Sequence, residues 1–165
     1  MTQIKYFGSQ ALFIDFDVLL SKVGDTLDSD QLLLLQFISD ITKSHIVLTA
    51  QWSFFFNEKL QPINKSGEVI DKAFKELYLP ITGITMDLAT PNLWNQRKCW
   101  QVRGIEIFEY LRFHKKIQHW CYIGHQSALD RTTYEHQVVA SQLSQEAILP
   151  IILTLSERGH YEHLS

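Results

Sequence analysis

The sequence predicts an α/β protein in which a mainly parallel sheet is covered on both faces by helices. Three observations carry this. Short runs such as "ALFIDF" and "HIVL" have the near-continuous apolar character of strands buried on both faces. Segments of helical period alternate with them, as the crossovers of a parallel sheet require. Three runs also end in polar groups: Asp15 and Asp17, Thr49, and Gly124 with His125. Ligands of doubly wound sheets sit beyond the carboxyl ends of the strands, so these ends mark a candidate site. The pattern is that of a three-layer, Rossmann-like fold, and 165 residues fit one domain spanning 1–165.

Each element follows from its residues. "ALFIDFD" is a strand that emerges into acids, and "SKVGDTLDSD" is a polar loop. "DSDQLLLLQFISDITK" is a helix capped by Asp28 or Ser29, with Leu32, Leu35 and Ile38 or Ser39 facing inward. Leu33, Leu34, Phe37 and Ile41 widen that stripe, so the helix is expected to be well buried. "HIVLTA" is a β-branched strand, and "QWSFFFNEKL" turns helical. "GEVIDKAFKELYLP" is a helix stopped by Pro80, and "ITGITMD" is a strand or hairpin arm. "LATPNLWNQRKCWQV" is a loop or flap. "RGIEIFEYLRFHKK" is a helix with Ile105, Phe108 and Leu111 or Arg112 on one side, and "IQHWCYIG" is a strand. "SALDRTTYEHQ" is a short helix or loop and "VVA" a short strand. "AILPIIL", interrupted by Pro150, is an edge or terminal element.

Composition narrows the function. Hydrophobic residues at 45% and charged residues at 20% are globular values. A net charge of −3 argues against a protein that lives on phosphate backbones, although a local patch can still bind them. Two cysteines make no disulfide framework and suit a reducing compartment. The first residues lack a signal-peptide core, and no stretch has the length of a membrane span. A cytoplasmic protein without membrane contact is expected. The histidines of the "HYEH" tail, His160 and His163, read as a solvated end rather than a metal site.

A carboxylate at a strand end can act as a nucleophile on phosphorus, forming an acyl-phosphate. A second carboxylate two residues on points the same way if the strand stays extended, and can serve as acid and base. Two such acids repel and call for a hard cation such as Mg²⁺. Thr49 can hold a phosphoryl oxygen, and Arg103 can balance its charge.

Here the residues resemble a known family. "FIDFDVLL" looks like the first motif of the haloacid dehalogenase superfamily, and "HIVLTAQW" like its second. "VRGIEIFEYL" resembles a helix start in small members linked to nucleic-acid repair, and "CYIGHQSALD" stands where the fourth, metal-binding motif belongs. The resemblance spans about Ala11 to Pro150, and the lack of a large insertion implies little or no cap domain. It implies Asp15 as nucleophile, Asp17 as general acid/base, Thr49 and Arg103 as phosphate-binding groups, and Asp15, Asp17 and Asp130 as holders of Mg²⁺. The sequence departs where a metal-binding acid is due and His125 stands instead. Imidazole is a poor Mg²⁺ ligand. Val18 replaces the usual Gly after the second acid, and Ser53 follows Trp52 where an Arg is usual.

Plainer readings stand beside these. Paired acids after a strand can be turn caps. Thr49 can be an ordinary strand former, Arg103 a surface cation, Asp130 a helix-start acid and His125 a structural histidine. "NLWNQRKCWQVR" interleaves aromatics with cations and could stack bases, or simply pack a loop. Trp52, Phe54, Phe55 and Phe56 read as core, and Cys99 has no base placed beside it. Two functions remain: a phosphohydrolase or phosphotransferase acting on a phosphomonoester, including a nucleic-acid end, or a pseudo-enzyme that binds a phosphorylated ligand or a protein partner without turnover.

Overall fold

The computed structural model describes residues 9–20, 26–124, 129, 134–140 and 142–161, and of 134 and 156–161 the backbone alone. Its strands are β1 (Gln10–Ile14), β2 (His45–Leu48), β3 (Ile81–Ile84), β4 (His119–Gly124) and β5 (Gln137–Val139). They pair in the order β3-β2-β1-β4-β5, and every pairing is parallel. The crossovers run outward from β1 to β3 and then return to place β4 on the other side of β1. The strand order therefore reverses at the β1/β4 boundary, where the ends of such sheets form a crevice.

β1 is fully buried from Ala11 to Ile14, and its period of two feeds two separate cores. Leu12 and Ile14 join α1 (Ser29–Thr42), α2 (Lys65–Glu76) and α5 (Gln145–Tyr161) on one face. Ala11 and Phe13 join Trp120, Tyr122 and Ile107 of α4 (Arg103–Phe113) on the other. Three layers result. The ring of Phe13 meets Tyr110 and Trp120 edge to face, at 5.6 and 5.9 Å between centroids.

Several local expectations change. Asp28 caps α1 by accepting from the Asp30 amide at 2.9 Å, and Leu32, Leu35, Ile38 and Ser39 face inward as the spacing requires. Leu33, Phe37 and Ile41, expected inside, lie about half exposed on the opposite side. The segment from Thr49 forms only a 3₁₀ turn, Ala50–Phe54, before an antiparallel bridge between Phe56 and Pro62 ends it. Within it Trp52 and Phe56 are core, whereas Phe54 is exposed. β3 is a parallel strand rather than a hairpin arm. The expected flap carries the short helix α3 (Pro91–Asn95), capped by Thr90, and a 3₁₀ turn, Cys99–Val102.

α4 is rotated from its expected setting: Arg103, Glu106 and Ile107 face inward, while Ile105 and Phe108 are exposed. The segment around Pro150 is helical within α5. Proline removes only the bond to the Glu146 carbonyl, and both residues are exposed, so water can take that carbonyl. No helix among the described residues is long and apolar enough to cross a membrane.

Candidate functional site

Asp15 follows β1 directly, and its position is over-determined. Its amide donates to the Ile123 carbonyl of β4 at 3.1 Å. The Ile14 carbonyl before it accepts from the Trp52 indole at 2.9 Å and the Thr49 amide at 3.3 Å. The ends of β1, β2 and β4 are thus pinned together, and Asp15, Thr49 and Gly124 meet as the sequence predicts.

Asp15 is only 5% exposed, and both of its oxygens are engaged. Oδ1 accepts from the Thr49 hydroxyl at 2.5 Å and lies 3.1 Å from Arg103 Nε. That N–H is not aligned for a hydrogen bond, so the contact is an ion pair by proximity. Oδ2 accepts from the Tyr122 hydroxyl at 2.6 Å. Arg103 Nη1 turns the other way and donates to Glu106 Oε1 at 2.7 Å, while Glu106 Oε2 accepts from the Leu88 amide at 2.9 Å. Arg103 and Glu106 are 3% and 1% exposed, so Arg103 is no surface cation but the link between two buried acids.

Two carboxylates share one guanidinium, and their proton affinities reflect it. Burial raises the Asp15 pKa; Arg103, Thr49 and Tyr122 oppose the rise without cancelling it. Burial likewise pushes Glu106 up to about 7, against the pull of Arg103. Burial alone would lower Arg103, but Asp15, Tyr122 and Glu106 more than offset it. Burial and the neighbouring Asp15 raise the Tyr122 phenol, which stays a donor.

Sequence reasoning missed Tyr122 and Glu106. Glu106 was legible as an i,i+3 partner of Arg103. Tyr122 stands two residues before Gly124 on the same face of β4, and two residues advance a strand by about 6.6 Å. A tyrosine there lays its hydroxyl over the glycine. A Cβ at Gly124 would collide with that oxygen and stand 3.1 Å from Asp15 Oδ2. The strand end therefore has room for the phenol or a side chain at 124, not both.

Asp17 differs. The chain leaves the strand at once for a 3₁₀ turn, Phe16–Leu19, so the two acids do not share the environment an extended strand would give them. Asp17 is exposed, and its amide lies 3.4 Å from Gln51 Oε1. Asp15 and Asp17 nevertheless line one cleft of about 290 Å³ with Arg103. Its far wall comes from the 87–102 segment: Trp94, Trp100, Arg97, Cys99 and Asp87. Phe54 closes the side, edge to face with Trp94 at 5.1 Å. Burial and Asp87 raise the Cys99 thiol, which leaves it a poor nucleophile.

The described residues by themselves assemble no Mg²⁺ site. No three His, Cys, Asp or Glu side chains among them gather to hold an ion. A cation on Asp15 would share Oδ2 with the Tyr122 hydroxyl or Oδ1 with the Thr49 hydroxyl and a guanidinium of like charge. Asp130 and His125 lie outside the described residues. Comparisons of the chain with protein families, curated proteins and solved structures found no match.

Proposed function

We propose that the protein is a binding module which holds a nucleoside-like ligand in the β1/β4 cleft without metal and without turnover. The observation that carries this is the neutralised Asp15: Arg103, Thr49 and Tyr122 occupy the carboxylate that a phosphotransfer enzyme would need as nucleophile. Arg103 is held between Asp15 and Glu106, so it has little charge left for a phosphoryl group.

The cleft itself supports the ligand class. Phe54, Trp94 and Trp100 offer ring faces and edges to a planar group. Asp17, Asp87 and the Gln51 amide line the same space and can accept from ring amino groups or sugar hydroxyls. Three aspartates against two arginines line the cleft, a balance that disfavours a dianionic phosphate. Titrating the protein in EDTA with adenosine, guanosine and cytidine and their 5′-monophosphates, read by tryptophan fluorescence, tests the reading. Saturable quenching by at least one nucleoside is expected, with its monophosphate binding no more tightly. Asp15-dependent hydrolysis of a phosphomonoester panel with Mg²⁺ would refute it.

A second reading, the phosphohydrolase of the haloacid dehalogenase resemblance, is favoured by one observation: Asp15 and Asp17 open onto the same cleft at the strand-order reversal. Asp15 would attack phosphorus and form the aspartyl-phosphate as the alcohol leaves. Asp17 would protonate that alcohol and then activate the water that releases phosphate.

A further inference from the structure

Two opposite charges face the cleft without a partner inside the fold. Arg97 lines it from the far wall, is exposed, and makes no hydrogen bond or ion pair among the described residues. Asp17 lines it from the strand-end wall, and its carboxylate likewise has no such partner among them. Their neighbours in the lining are already engaged. Arg103 is held between Asp15 and Glu106, and Asp87 Oδ1 accepts from the Ala89 amide at 3.0 Å. The backbone fixes where Arg97 starts from. The Arg97 amide donates to the Trp94 carbonyl at 3.1 Å and the Lys98 amide to the Leu93 carbonyl at 2.9 Å, which closes α3. Arg97 itself sits in the left-handed region, with φ at 55°, a place that glycine usually fills. Lys43 takes the same conformation after α1, so the strain alone assigns no role. What sets Arg97 apart is an unpaired guanidinium opening onto a cleft walled by Trp94 and Trp100.

We infer that the cleft selects guanine among the nucleobases, and that Asp17 and Arg97 are the residues that read it. The inference rests on the proposal that a nucleoside occupies the cleft, and adds which base it carries. Guanine has two neighbouring donors on one edge, N1–H and the N2 amino group. On another edge it has two neighbouring acceptors, N7 and O6. A carboxylate with both oxygens open matches the donor pair, and a guanidinium fork matches the acceptor pair. Asp17 and Arg97 supply these two groups from opposite walls. Adenine fits neither: it has one amino group, and that group, not an acceptor, stands beside N7. The pyrimidines carry all their polar ring groups on one edge, so they cannot face an acid on one wall and a guanidinium on the other.

Calorimetric titration of the full chain with guanosine, adenosine, cytidine, inosine and 7-deazaguanosine tests it, beside Asp17→Ala and Arg97→Ala. Both residues are exposed, so both variants should keep the parent's circular dichroism. Guanosine is expected to bind at least about tenfold more tightly than adenosine or cytidine. Inosine lacks the N2 amino group and 7-deazaguanosine lacks N7, and each should bind about fivefold or more weakly than guanosine. The inosine deficit should vanish in Asp17→Ala and the 7-deazaguanosine deficit in Arg97→Ala, each variant keeping the other deficit. A merely structural role would weaken every nucleoside alike. If another nucleoside binds as tightly as guanosine, or the two deficits are absent or unmoved by the variants, the guanine assignment is overturned and the nucleoside reading stands. Binding by none of the five overturns both.

Discussion

Asp15 and Asp17 stand two residues apart and live in different solvents. Asp15 is buried, accepts from two hydroxyls and faces a guanidinium. Asp17 is exposed and no side-chain cation pairs with it among the described residues. One 3₁₀ turn separates the two conditions. The lesson is that spacing alone does not make a matched pair: i and i+2 share one environment by strand geometry only while the backbone stays extended through both residues.

The sharpest way to break the comparison is to truncate each acid. Asp15→Ala leaves the Thr49 and Tyr122 hydroxyls without their acceptor and Arg103 with one acid in place of two, so a loss of about 3 kcal/mol is expected in denaturant unfolding. Asp17→Ala should stay within about 0.5 kcal/mol of the parent. A neutral or stabilising Asp15→Ala would instead mark an acid kept for catalysis at the expense of stability. Tyr122→Phe comes next. It removes one hydrogen bond from a buried carboxylate and should cost about 1–3 kcal/mol. If the phenol is what plugs the strand end, the same variant should gain measurable Mg²⁺ affinity by calorimetry.

A further contrast is in pH. The folded pKa of Glu106, about 7, lies above its ordinary value of 4.5. The folded state therefore binds this proton more tightly than the unfolded chain. The favourable contribution is complete below about pH 4.5 and is lost as pH rises to about 7. Glu106→Gln titrates nowhere, so its melting temperature should change less than the parent's between those limits.

The strand–helix alternation made the sheet and its layers legible, because buried parallel strands are apolar throughout. The meeting of Asp15, Thr49 and Gly124 was legible for the same reason, since polar groups at strand ends share one edge. What was not legible depends on rotation and on contact. Ile105 and Phe108 have the right spacing for an inner face of α4, but Asp15 draws Arg103 inward and turns them out. The inner side of α1, Leu32, Leu35, Ile38 and Ser39, was legible from its spacing, but the apolar Leu33, Phe37 and Ile41 gave no sign that they would stay outside. The run around Pro150 read as an edge or terminal element rather than as helix, because the sequence does not show that the carbonyl the proline orphans would face water.

The strand order also has a consequence in time. β1 is the first described strand to leave the ribosome, yet it is the centre of the sheet and needs neighbours on both sides. β2 follows within a few dozen residues, but β4 pairs with β1 from roughly a hundred residues downstream. At ordinary synthesis rates that is a wait of about 5–20 s. During it the apolar edge of β1 that will meet β4 has no partner in its own chain, and the acid at its tip has neither Tyr122 nor Arg103. The site and the β4–β5 side of the sheet can therefore form only late in synthesis, which leaves the nascent chain more exposed to mispairing than the finished fold.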